Sequence, residues 1–320
     1  MIKRFAFSFM LFAVAALAAD PTLVGLVMPD AKILTGIQVD RSQASPFGQY
    51  VLAKTQFNDP GFLKFVADTG FDPRNDLREI VAATGGTEQN SIVLGRGSFQ
   101  SAKIVAAALA GGGSVTKYKG VDVILTDKTG NSAIAFLDGS IGLFGNLAAV
   151  QATIDRRASG AVFNGALAQK AQSVSAANHA WFVTLTPLSE FMAGKTGESQ
   201  VNTMMQSNLL QAVQSASGGL TFGSNAVTVS AEAVTRSDKD AQALNDVLKF
   251  LIGMIQGGGG AQNGVPAAAS ALANSVQIST DGATLKLSLS LPEAQAEELF
   301  MGAPGAPGAK ATPKRKAAAR

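Results

Sequence analysis

Residues 281–292 read DGATLKLSLSLP. Leu285, Leu287, Leu289 and Leu291 alternate with Lys286, Ser288 and Ser290, the period of two that a half-buried strand requires. Asp281-Gly282 just before it is a tight-turn dipeptide, and it pairs this strand with Val276–Ile278 in a hairpin. A strand that is apolar on one side only belongs to an antiparallel sheet. The fold class read from this stretch is therefore α+β, with helices packed on one face of the sheet.

The same logic extends upstream. Ser237 or Asp238 caps a helix in which Leu244, Val247, Leu248, Leu251, Ile252 and Ile255 follow i, i+3, i+4, i+7 spacing, and the glycines at 257–260 end it. Leu220–Phe222 and Val227–Val234 predict a strand pair, Pro187–Gln214 a mostly helical stretch, and Ala180–Leu185 a strand. Pro292 opens a last helix to Phe300.

The first half repeats the order. Lys32–Asp40 predicts a strand. Ser45-Pro46, Asp59-Pro60 and Asp72-Pro73 are three cap-and-proline helix starts. Leu77–Ala83 and Ser91–Leu94 pair as strands, and Ala102–Leu109 is a helix stopped by Gly111–Gly113. Val121–Thr126, Ser132–Leu137 and Ile141–Phe144 are strands, the last two joined by Asp138-Gly139, a type I′ signal. Leu147–Arg157 is a closing helix. Two tandem repeats of one α+β unit are expected, at residues 20–157 and 158–301.

The ends differ from this body. Residues 1–19, MIKRFAFSFMLFAVAALAA, have a basic start, an apolar run from Phe5 to Leu17, and small residues at the end. That is a secretory leader; Ala16-Leu17-Ala18 fits the cleavage pattern, with Leu17-Ala18-Ala19 as an alternative. The run is shorter than the roughly 20 residues that span a bilayer, and no later stretch is long and apolar enough, so no transmembrane segment is expected after processing. Residues 302–320 combine Pro304, Pro307 and Pro313 with five cations and no apolar face, the composition of a disordered basic tail.

Composition narrows the function. Setting aside two basic residues of the leader and five of the tail turns the formal charge of +3 into −4 for the body, which is unlike a nucleic-acid binder. The absence of cysteine excludes disulfides, thiolate metal sites, a cysteine nucleophile and a lipid-modified N-terminal cysteine. Only 15% of residues are charged, so Ser, Thr, Asn and Gln must supply most of the polar surface.

One run joins several of these signals: Tyr118-Lys119-Gly120-Val121, then AIAFLDGSIGLFGN at 133–146, then AAVQATIDRRA at 148–158. With SPFGQYVL at 45–52 and TGFDP at 69–73, it resembles families of uncharacterised exported bacterial proteins. Those families have a Tyr-x-Gly-Val strand, a hairpin with an Asp-Gly turn and a helix ending in Ile-Asp. The resemblance implies export and a duplicated α+β layout, and it carries no catalytic residue across.

Candidate chemistry is thin. Ser114-Val115-Thr116-Lys117 matches the S-x-x-K of serine β-lactamases, and K-T-G occurs at 128–130 and 195–197. That family needs its serine to open a buried helix, whereas Ser114 follows three glycines into a strand region. His179 is the one histidine, and no G-x-S-x-G elbow accompanies it. Asp68, Asp72, Asp76 and Glu79 lack the alternating ligands of a calcium loop; Asp72 reads as a helix cap, and Asp76 and Glu79 as partners of Arg74 and Arg78. No catalytic, cofactor-binding or metal residue is assigned, and no cofactor is expected. The expectation is an exported, periplasmic or extracellular, non-enzymatic binding or structural protein of the bacterial envelope. Its partner would be an envelope component and not nucleic acid. The alternatives are a serine hydrolase using Ser114 and Lys117, or tethering to an anionic surface through Lys310, Lys314, Arg315, Lys316 and Arg320.

Overall fold

The computed structural model describes residues 18–55, 57, 59–87, 89–126, 132–187, 190, 211–256 and 272–302. A first set of elements runs α1 (Pro21–Gly25), β1 (Ile33–Gln38), α2 (Val39–Gln43), α3 (Pro46–Lys54), α4 (Pro60–Thr69), α5 (Pro73–Asp76), β2 (Leu77–Thr84) and β3 (Ser91–Gly97). Then come α6 (Ser101–Ala110), β4 (Ser114–Tyr118), β5 (Val121–Leu125), β6 (Ala133–Asp138), β7 (Ile141–Gly145) and α7 (Leu147–Ser159). The rest are α8 (Ala166–Ala177), β8 (Ala180–Thr184), β9 (Val213–Phe222), β10 (Ala226–Thr235), α9 (Asp238–Gln256), β11 (Val276–Asp281), β12 (Thr284–Pro292) and α10 (Glu293–Gly302).

The chain is α+β, as the leucine alternation requires. Twelve antiparallel strands make one sheet in the order β11-β12-β10-β9-β8-β1-β2-β3-β7-β6-β5-β4. From the β1–β8 contact the order runs outward alike on both sides. β2, β3 and the β7–β6 hairpin lie on one side; β9, β10 and the β12–β11 hairpin lie on the other. The β4–β5 hairpin is an addition at the outer edge of the first side.

Because opposed residues in an antiparallel ladder share a face, the register defines two surfaces. On the first face a row runs through Ala135, Leu143, Leu94 and Val81 to Gly36 and Trp181 at the join, then through Gly219, Ser230, Ser288 and Gln277. Its character changes midway. Over β1–β3 and β5–β8 the face is apolar and buried beneath α1, α7 and α8, with Leu34, Leu94, Val123 and Val183 fully inaccessible. Each such side chain contributes about 1.5–3 kcal/mol through burial. Beyond β9 the same face turns to serine, glycine and paired charge. The reverse face there carries Val227, Leu289 and Leu291, which pack on α10 and on Phe47 and Phe222.

Local signals explain the helix starts. Ser45, Asp59 and Asp72 each accept a hydrogen bond from a first-turn amide, and proline follows each. Asn146 caps α7 by accepting from Ala149 N at 2.8 Å, while its amide also donates to Gln89 O. Asn146→Ala should therefore cost about 1–2 kcal/mol, read as a lower urea midpoint at unchanged slope.

Several expectations need correction. Residues 213–219 are strand and not the end of a helix: β9 begins at Val213, so it includes Gln214 and extends well upstream of Leu220. The remainder of that predicted helix lies almost wholly outside the described residues. The helix α8 and the strand β4 went unpredicted. The Asp138-Gly139 hairpin forms, but Gly139 is not at positive φ; Asp138 instead accepts from Ser140 N and Oγ, and Gly139 O and Ser140 O are engaged by Phe99 and Gly97. Two consecutive positive φ values occur at Lys119 (48°) and Gly120 (85°), so the Tyr-x-Gly-Val stretch is a β4–β5 hairpin turn and not one strand.

Candidate functional site

The half of the first face beyond β8 forms the floor of an open groove of about 690 Å³. One wall is α8, held against the sheet by Leu167, Ala168 and Ala171. Ala-rich sequence favours this helix, and its apolar residues recur at helical spacing. Lys170, Ser173 and Val174 therefore face along the sheet. The floor is supplied by Ser217 and Gly218 of β9, Ser230 to Glu232 of β10, and the β12 and β11 residues opposite them.

Its flatness has a sequence cause. A Cβ at Gly218 would lie 2.4 Å from Ser230 O, and one at Gly219 would lie 2.4 Å from Ala180 O and 2.5 Å from Asn178 Cγ. Only glycine lets β8, β9 and β10 approach this closely, which is why a segment of low strand propensity is nevertheless strand. Asn178, the C-cap of α8, closes the inner end: its amide donates to Val174 O at 2.8 Å, and its oxygen accepts from Thr221 Oγ1 at 3.3 Å and Ser230 Oγ at 3.4 Å.

The groove's charges are paired. Lys170 Nζ lies 3.1 Å from Glu232 Oε1, tying α8 to the floor, and Lys286 on the floor meets Asp281 at 3.0 Å. Hydroxyls and amides do the rest, with Ser279, Ser288 and Gln277 available along the outer strands. Such a surface offers many directional donors and acceptors and no net charge. Among the described residues no group of three or more His, Asp or Glu is placed to hold a metal.

The residues singled out in the sequence lie elsewhere. Ser114 and Lys117 are both on the exposed edge strand β4, three positions apart, so they point to opposite faces; Lys117 pairs with Asp122 at 3.2 Å. They cannot act as nucleophile and base. The triplets at 128–130 and 195–197, and the basic residues of the tail, lie outside the described residues. His179 is a packing residue: its Nδ1 accepts from Phe222 N at 3.2 Å, its ring stacks on Phe222, and burial, with Arg41 nearby, pushes its pKa down. Asp72 caps α5 and grips Arg74 at 2.6 Å.

Two of the acidic residues stand elsewhere than expected: Asp76 accepts from Asp72 N at 2.7 Å while Arg74 pairs with Asp72, and Glu79 lies inside. Strand alternation turns it inward with Val81 and Ala83, so it is 5% exposed and not paired with Arg78. Its carboxylate accepts from Asp20 N at 3.1 and 3.2 Å and from Gln38 Nε2 at 3.0 Å. Burial pushes its pKa up to about 7, against the pull of these donors and of Arg96. Reading β2 with its period of two would have placed Glu79 inside. Asp155 of α7 accepts from Tyr118 Oη at 3.0 Å and holds Lys119 at 2.6 Å.

One continuous antiparallel sheet, helix-covered on one half of its first face and open and polar on the other, defines the class of molecule. It shares this fold with TP0453, a treponemal protein solved in several crystal forms. Forms I, III and IV align with TM-scores of 0.51, 0.56 and 0.52 at 10%, 12% and 11% identity. Each covers 89% of this chain, and 98%, 99% and 97% of its own. No protein-family model matches the chain, and no curated protein matches it in sequence. Among the described residues no helix is long and apolar enough to cross a membrane.

Proposed function

We propose that this chain is an exported, non-enzymatic binding protein of the bacterial cell envelope, and that the groove over β9–β12 receives a neutral chain rich in hydroxyl and amide groups. The observation that carries the reading is the change along one sheet face. The residues that would bury a core on the first half are replaced on the second by Ser217, Ser230, Ser279 and Ser288 around the Lys170–Glu232 and Lys286–Asp281 ion pairs. A face that served only to pack would be apolar and covered, and a charged ligand would call for unpaired charge. The basic start and apolar run of the N-terminal leader support placement outside the cytoplasm. The opposed directions of Ser114 and Lys117 speak against the serine-hydrolase alternative.

Retention of the processed protein on purified cell-wall sacculi tests the proposal. Ser288→Trp, which fills the groove from an outer strand, should weaken retention about ten-fold or more, while removal of residues 302–320 should leave it unchanged at low salt. Wild-type retention by a folded Ser288→Trp protein, with release on removing the tail, would replace the groove by the basic tail as the attachment.

A further inference from the structure

Ala19 is fully buried within the main core, and its backbone nitrogen donates to Ser175 Oγ at 2.7 Å. Ser175 is itself inaccessible, its hydroxyl donates to Gln172 O at 3.0 Å, and it lies in the last turn of α8, whose terminal carbonyls accept from Arg41, Asn178 and Thr221. The next nitrogen, that of Asp20, donates to both oxygens of Glu79. Successive backbone nitrogens are roughly 3–4 Å apart, so the Ala19 nitrogen lies within about 7 Å of a buried carboxylate.

The surrounding charges are otherwise engaged. Asp20 and Arg96 pair with each other at 2.6 Å. Arg41, on α2, reaches the Ser175 and Ala176 carbonyls at 3.4 and 3.3 Å, and His179 faces Phe222. Glu79 accepts hydrogen bonds from neutral donors, Gln38 and the Asp20 amide, while the Asp20–Arg96 pair acts on it at longer range. A buried hydroxyl oxygen on the Ala19 nitrogen and a buried carboxylate on the next nitrogen suit a cation there.

Resting on the export reading, we propose that the leader is cut between Ala18 and Ala19 and that Ser175 and Glu79 form the socket for the α-ammonium group so created. Hydrolysis adds the hydroxyl of one water to the Ala18 carbonyl and its hydrogen to the Ala19 nitrogen. That amine then takes up a proton, and the leader departs with a carboxylate. Ala19, on one side of this bond, is fully buried in the folded chain, so the cut precedes folding. Cutting one residue later would remove Ala19 from the core and leave Ser175 Oγ without its donor.

The chain purified from the compartment to which it is exported supplies the test, by N-terminal sequencing and by titration of its α-amine. It should begin Ala19-Asp20-Pro21. Its amine should titrate at least one pH unit above the ordinary value of about 7.7–8.0, and return to that value in Glu79→Gln. If that variant does not fold, Ser175→Ala should show a smaller fall in the same direction. A start at Asp20, or an ordinary amine in the wild-type protein, would overturn the socket while leaving export intact. An uncut chain inside the cell would overturn the export reading itself.

Discussion

Gly36→Val is expected to lower the unfolding free energy by about 3 kcal/mol, a large share of the stability of a typical domain. Gly36 sits in β1, opposite Val81 on one side and Trp181 on the other, where the two sides of the sheet meet. A Cβ at this position would lie 2.5–2.7 Å from three atoms of the Trp181 indole. Trp181 is 3% exposed, so its ring can move only by displacing core. The greater strand propensity of valine, worth at most about 1 kcal/mol, acts in the opposite direction and is too small to win. Gly36→Val combined with Trp181→Leu should cost less than the sum of the two single substitutions, because the smaller side chain removes the obstruction. Urea unfolding reads both outcomes, and a Gly36→Val protein within about 1 kcal/mol of wild type would show that the indole does not depend on this glycine.

The second large effect is a pH dependence. In the chain with its leader still attached, Glu79 titrates near 7 when folded, against an ordinary value of 4.5. A folded pKa raised above the unfolded one favours the folded state fully below about pH 4.5, and this contribution is lost as pH rises through 7. Over that window the uncut chain should lose up to ~3 kcal/mol, at about 1.36 kcal/mol for each pH unit between the unfolded and folded values. Glu79→Gln should flatten the profile between about pH 5 and 8. His179 acts in the opposite sense: its lowered pKa means that stability is lost as pH falls below the imidazole range. A profile in which Glu79→Gln parallels the parent would remove Glu79 as its source.

Residues 284–291 revealed the sheet because one leucine face and one serine face survive intact through β12. The three cap-and-proline starts were equally readable, since a cap needs only its own first turn. What could not be read depended on neighbours distant in sequence. β9 looks like a poor strand until Gly218 and Gly219 are seen beneath close-set strands, where no other residue fits. Glu79 reads as a surface charge until the inward alternation of β2 is applied together with the position of Asp20. The groove was foreshadowed only by composition, in a chain with few charges and many hydroxyls. Its location required the register that carries one face from Leu94 to Ser288 across seven strands.

The most direct test is an amide chemical-shift titration of the processed protein with soluble glycan fragments released from cell-wall sacculi. Shifts should concentrate at Gly218, Ser230, Glu232, Ser279 and Ser288, with the buried stretch of the same face around Leu94 and Val81 unmoved. Shifts confined to other surfaces, or none at concentrations where intact sacculi retain the protein, would contradict the groove as the binding surface.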